Sequence, residues 1–180
     1  MREIRNPWIH TEGYNCYGCC PANPIGLQMH FYEDGNDIVS VWCPSQNHQS
    51  WVNTLHGGIQ AVMLDEICGW VVFHKLQTSG VTGKMDIRYR HTLNTTDKYI
   101  VLRARLKEQH HCLTIVEAEI SNSEGIVCAS CECTYFIFSQ EKAKQMSFLN
   151  SECVGDDITL QEAIQRATTH KYKKINEYEK

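Results

Sequence analysis

No run in this 180-residue chain is apolar for long enough to cross a membrane as a helix. The opening residues, Met1-Arg2-Glu3-Ile4-Arg5-Asn6-Pro7, lack the apolar core of a signal peptide. Positive charge is not in excess either. Seventeen Lys and Arg stand against 21 Asp and Glu, a formal net charge of -4, which excludes nucleic acid as a bulk electrostatic partner. Internal repeats and low-complexity segments are missing as well. The expectation is a cytoplasmic protein with no membrane and no nucleic-acid partner. Its length suits one domain with a full core and a tail.

Cysteine, by contrast, is plentiful, with ten residues. Cys43, Cys68, Cys112, Cys128, Cys131 and Cys133 fall in apolar or strand-like runs and read as buried free thiols, which behave as small hydrophobes. The cluster Cys16-Tyr17-Gly18-Cys19-Cys20-Pro21 is different. Cys16-x-x-Cys19 has the spacing of half a zinc site, and a full site needs two more ligands. The nearest histidines are His10 and His30. No second pair sits at ribbon-like spacing, since Cys128-x-x-Cys131 falls inside a strand-like run. The expectation is a packed loop without metal or cofactor. No βαβ pattern surrounds the pair, which argues against a redox motif.

Residues 1–24 read as irregular. Leu27 to Tyr32 alternates as a strand should, Gly35-Asn36 reads as a turn, and Ile38 to Trp42 completes a hairpin. A polar loop, 43–55, leads to a helix from Gly57 to Leu76. Four alternating runs follow: Val81–Arg90, Tyr99–Leu106, Cys112–Ile120 and Ile126–Phe138. Val81, Met85, Ile87 and Tyr89 form the apolar set of the first. Short connections favour antiparallel neighbours. A short helix is expected over Gln140–Met146, then a linker, then a polar and mostly exposed helix over Ile158–Tyr178.

The helix is the informative element. Ile59, Val62, Met63, Ile67, Trp70, Val71 and Phe73 cover nearly every face, and a helix apolar all round is buried. With about six strands available, burial requires a curved antiparallel sheet wrapped around it, and a second copy of the chain is the simplest cover for what remains. Yet Asp65 and Glu66 sit mid-helix, and burying a carboxylate costs several kcal/mol unless it is paired. At least one of them marks a site.

His56-Gly57-Gly58, then Leu64-Asp65-Glu66 with its aspartate nine residues after the histidine, then Gly80-Val81-Thr82 and Ile87-Arg88-Tyr89, together resemble the hotdog-fold acyl-CoA thioesterases, in the branch similar to phenylacetate-pathway enzymes. Upstream, Cys16-Tyr17-Gly18-Cys19 and Asn23-Pro24-Ile25-Gly26-Leu27 resemble a lead-in found in bacterial members. The resemblance covers roughly residues 14–146. It implies an α+β hotdog fold over 25–146, an irregular N-terminal segment over 1–24, and a linker and helix over 147–180 outside the family pattern. It also implies a homodimer or homotetramer acting on acyl-CoA, and selects Asp65 over Glu66 as the catalytic carboxylate. Glu66 is then a salt-bridged or interface acid.

The first N–H groups of a helix lack intrahelical partners and carry the positive end of the macrodipole. Gly57 and Gly58 have no side chain to block a carbonyl from them, so they are candidate oxyanion donors. Gly57 and Asp65 lie eight residues apart, about 12 Å along one helix. One thioester cannot touch both, so the acid and the donors of one site come from different chains. By resemblance Thr82 stands where a hydroxyl bonds the acid or its water. His56 either orients water or substrate, or caps the helix. Gln49, Ser50 and Asn53 are candidates for holding water near the histidine motif, with His48 more ordinary. Lys84, Arg88, Arg90 and His91 are candidates for the phosphates of CoA. Trp51 and Trp70 read as core or as pocket walls. A hydratase or dehydratase of the same fold, a non-catalytic acyl-CoA binder and a zinc-stabilised interaction module are the alternatives.

Overall fold

The computed structural model describes residues 1–178. Its strands are β1 (Arg2–Ile4), β2 (Tyr32–Asp34), β3 (Asp37–Trp42), β4 (Gly80–Tyr89), β5 (Ile100–His110), β6 (Leu113–Ser121), β7 (Val127–Ile137) and β8 (Cys153–Val154). Its helices are α1 (Gly57–Lys75), α2 (Gln140–Gln145) and α3 (Leu160–Tyr178). The strands form one antiparallel sheet in the order β4-β7-β6-β5-β3-β2-β1-β8. Helix α1 lies across β3 to β7, so the sheet curves around it.

The helix seats closely because the strands beneath it are lined with small side chains. Ala104 pairs with Ala118, and Ala118 with Cys131, a continuous row across three strands. Cys68 Sγ of α1 comes within 3.9 Å of Cys131 Sγ. Around this row Met63, Leu64, Ile67, Val71, Ile100, Leu102, Val116 and Ile120 are inaccessible to solvent. Each large side chain so buried contributes about 1.5–3 kcal/mol.

The sheet has eight strands, not the expected six. The two extra, β1 and β8, are too short to show alternation. The expected strand Leu27–Tyr32 is displaced: Leu27, Met29 and Phe31 are buried, but the backbone joins the sheet only at Tyr32. Leu27 and Met29 instead donate their N–H groups to the carbonyls of Tyr17 and Gly18, which ties the N-terminal loop to the core. The expected apolar set of β4 is also corrected. A bulge between Thr82 and Lys84 changes the phase of the strand, leaving Val81 exposed and turning Thr82 toward α1. Cys112, expected in the interior, lies at a hairpin turn and is exposed. Helix α3 is less exposed than expected: its Ala163 and Ile164, with Ile158 just before it, pack on Tyr32 and Val41. Residues 179–180 of the tail lie outside the described residues.

Candidate functional site at the edge of the sheet

Helix α1 begins at His56, its N-cap, whose extended backbone (φ -61°, ψ 132°) turns the ring back over the first turn. His56 Nδ1 accepts from the Gly58 N–H at 2.9 Å, so of the two possible roles the imidazole caps the helix. A Cβ on Gly58 would sit 3.0 Å from that nitrogen. The Gly58 donor is thereby taken, while the Gly57 N–H has no partner among the described residues. The Gly57 carbonyl accepts from Tyr89 Oη at 2.9 Å, which fixes the far end of β4 against the helix start.

Two turns along, Asp65 faces the near end of β4. Thr82 Oγ1 donates to Asp65 Oδ1 at 2.8 Å. Tyr135 of β7 donates to the Asp65 backbone carbonyl at 2.9 Å and stands 3.3 Å from Oδ1. Burial first, and then the charges of Cys133 and Asp65, hold the Tyr135 phenol well above its ordinary range, so it remains a donor. The carboxylate is thus oriented by two hydroxyls while remaining half-buried. Tyr135 escapes sequence reasoning because its position on an apolar strand face looks like ordinary core; only the register that brings β7 beneath α1 shows it.

Glu66 points the other way. It forms no ion pair among the described residues, so the salt-bridge half of the expectation is not met. Its Oε1 accepts from Trp70 Nε1 at 3.2 Å, and Cys16 Sγ lies 3.6 and 3.5 Å from Oε1 and Oε2. Burial first, and then the charge of Cys16, push the Glu66 carboxyl up to about 7. The hydrogen bond from Cys19, helped by the backbone N–H groups of Cys19 and Gly18, brings the Cys16 thiol down to about 5 despite its burial. Trp70 is buried and stacks on Phe31 at 4.7 Å.

The remaining candidates are dispersed. Ser50 and Asn53 lie in the exposed loop before α1 and are engaged locally: Ser50 with the Thr54 carbonyl, and Asn53 with Gln46 and Gln49. Trp51, at the tip of this loop, is 82% exposed and so not core. Lys84, Arg88 and Arg90 face away from α1, into a groove of about 470 Å³ on the outer side of the sheet that also holds Asp86, Glu117 and Glu132. His91 is exposed just past β4, with its N–H on the Cys128 carbonyl. Two groups of side chains have the composition of metal ligands: Cys16, Cys19 and Glu66, and Glu33, His74 and Cys153. In the second, Lys75 Nζ already contacts Glu33. No helix among the described residues is long and apolar enough to cross a membrane.

This architecture is shared with solved structures of the thioesterase superfamily. One such protein is 19% identical at a TM-score of 0.63, over 67% of this chain and 62% of that one, so this chain spans less than two thirds of its length. A hypothetical thioesterase protein of Streptococcus pneumoniae TIGR4, solved with coenzyme A, is 21% identical at a TM-score of 0.58, over 62% of this chain and 90% of that one. A Streptococcus mutans UA159 protein bound to acetyl CoA is 14% identical at a TM-score of 0.59, over 72% and 97%. No protein-family model and no curated protein matches the chain. The likeness establishes the fold: a curved antiparallel hotdog sheet around a central helix, as in thioesterase superfamily structures.

Proposed function

We propose that this protein is an acyl-CoA thioesterase, a homo-oligomeric hydrolase whose unit is a dimer with two shared sites. The observation that carries the reading is the Asp65 carboxylate, oriented by Thr82 at 2.8 Å on the open edge of the sheet, with an unpartnered Gly57 N–H at the start of the same helix. CoA and acetyl CoA in structures of like fold support the substrate class. The pneumococcal protein has also been solved with an aspartate and, separately, a threonine replaced by alanine, which makes an Asp–Thr pair a reasonable focus.

The edge strand β4 supports the dimer. Among the described residues it pairs only with β7, so its other side presents unpaired backbone groups, the feature that invites pairing with another chain. Antiparallel pairing of two β4 strands about Met85 and Asp86 sets Thr82 of one chain opposite Tyr89 of the partner subunit. Since Tyr89 holds Gly57, Asp65 of one chain then approaches the free N–H of the partner subunit's Gly57. This removes the 12 Å obstacle within a single chain.

In this site the thioester oxygen accepts from the Gly57 N–H, a donor whose loss typically costs about 10²–10³ in rate. Asp65 either takes a proton from water as that water attacks the carbonyl carbon, or attacks that carbon itself to give an anhydride that water opens. The C–S bond breaks, the electron pair leaves on sulfur, and the thiolate of CoA is protonated. His56 holds Gly58 in the loop-to-helix turn, which leaves it no role opposite the acid and disfavours hydration chemistry. Arg88 and Arg90 face the outer side of the sheet but lie on or just past the same edge strand. With His91 they are the candidates for the phosphates of CoA, reached by the pantetheine arm around that edge; the Ser50–Asn53 loop flanks the mouth. The test is free-thiol release from short, long and aryl acyl-CoAs, with Asp65→Asn in parallel. Turnover lost in the variant supports the proposal; no turnover on any acyl-CoA overturns it.

A further inference from the structure

We propose that Cys16, Cys19 and Glu66 form a zinc site that staples the N-terminal segment to α1. The sequence offers half a site in Cys16-x-x-Cys19, and neither His10 nor His30 joins the ligand group that the described residues form there. The fold supplies a carboxylate instead. Cys16 Sγ, Cys19 Sγ and a Glu66 oxygen all lie within 4.8 Å of one another. Cys16 Sγ stands 3.5 Å from Glu66 Oε2. A tetrahedral zinc with a thiolate at about 2.3 Å and a carboxylate oxygen at about 2.0 Å has an S···O edge of about 3.5 Å, so the spacing fits an ion at the centre.

The surroundings have the character of a support shell for ligands. Trp70 Nε1 holds Glu66 Oε1, which leaves Oε2 directed at the cysteines. Tyr14 Oη lies 2.9 Å and Asn6 Nδ2 3.7 Å from Cys19 Sγ. Gly18 is required for the approach, since a Cβ there would lie 2.3 Å from Glu66 Oε2. No Lys or Arg among the described residues lies within ion-pair distance of Glu66. Three potential anions converge without a cationic side chain, and two thiolates with a carboxylate are a donor set that suits zinc. The Glu33, His74 and Cys153 group differs on this point, because Lys75 already supplies its positive charge. Water completes the fourth position from the half-buried Cys16 side. On binding, whatever protons the two thiols and the carboxyl still hold pass to solvent.

This inference is independent of the thioesterase reading and is tested without an activity assay. Protein expressed with zinc available is analysed for metal by mass spectrometry; about one zinc per chain is expected. The zinc-free wild type, shown by circular dichroism to be folded, is titrated with Co²⁺, which should produce thiolate-to-cobalt charge-transfer absorption. Chelator should lower the melting temperature of wild type and of the surface control Cys112→Ser alike. Cys16→Ser, Cys19→Ser and Glu66→Gln should each lose most of the metal. Folded wild type that holds no zinc, gives no cobalt absorption and melts the same with chelator overturns the site. So does an intact mass two hydrogens short with a Cys16–Cys19 disulfide in the freshly purified protein. Since the wild type alone decides these outcomes, a variant that fails to fold leaves the test intact.

Discussion

Asp65 and Glu66 are neighbours in sequence and chemically alike, yet the fold gives them opposite surroundings. About 100° of helix rotation separates them. Asp65 faces the open side of α1, where the edge strand β4 and a hydroxyl from β7 meet it. Glu66 faces the closed side, beneath residues 14–20, where an indole N–H and a cysteine turn meet it. A carboxylate that must meet water and substrate needs a side with room to admit them. One that secures a loop needs the reverse. The comparison teaches that the division of labour between two adjacent acids comes from what packs against each face of the helix rather than from either residue.

The sharpest way to break this comparison is to neutralise the open side. Asp65→Asn should lower turnover by about 10²–10⁴-fold, the usual contribution of a catalytic base, with the melting curve little altered. Free-thiol release and thermal denaturation measured side by side check it; turnover retained in that variant would remove Asp65 from the chemistry. On the closed side the effect should be on stability. Trp70→Ala removes a buried ring stacked on Phe31 and the donor to Glu66, and should cost about 3–5 kcal/mol in denaturant unfolding. A loss below about 1 kcal/mol would mean that this side is loosely packed.

Smaller effects sharpen the same contrast. Thr82→Ala leaves the carboxylate in place but frees its orientation. A hydrogen bond to a charged group is worth about 1.5–3 kcal/mol, and at this open site the lower value, roughly a tenfold fall in kcat/KM, is expected. No change would make Thr82 an ordinary strand threonine. The smallest effect is on pH dependence at the end of α1. Burial, the leading cause, holds His74 below its ordinary value, with Lys75 adding to this and Glu33 opposing it. The unfolded chain therefore binds a proton more readily. The contribution of His74 to stability is present above the unfolded value of about 6.5 and is lost as pH falls below it. Unfolding measured from pH 8 to pH 5 should show wild type losing stability across that window, and His74→Gln losing less.

The parts of this architecture that were legible in sequence are those with long periodic patterns. Helix α1 ends within one residue of its expected boundary, and β4 to β7 lie on the four expected runs, because each holds enough alternating positions to state its period. Leu27, Met29 and Phe31 showed that they are buried but not what their backbone bonds to, since the Tyr17 and Gly18 carbonyls are a tertiary fact. The bulge at Gly83 was invisible for a similar reason: it is a disagreement of register between two strands. At the site, Asp65 and Thr82 came from resemblance and Gly57 from helix-end chemistry. Tyr135 and the environment of Glu66 required packing. Helix α3 looked exposed because the apolar residues that seat it, Ala163 and Ile164 with Ile158 just before it, are few and cover only one short patch.

The central claim is that one site takes its acid from one chain and its N–H donor from the other. Gly57 is the first helical residue, where proline is tolerated, and His56 already has the extended backbone that a following proline needs, so Gly57→Pro removes little beyond the donor. The most direct measurement is to unfold and refold Asp65→Asn and Gly57→Pro chains together, each inactive alone, and to assay the mixture. Shared sites predict that mixed dimers regain one intact site, so turnover recovers to about a quarter of wild type for random pairing of a two-fold assembly. A mixture as inactive as its parents, with mixed dimers shown by mass spectrometry to have formed, would contradict the shared site.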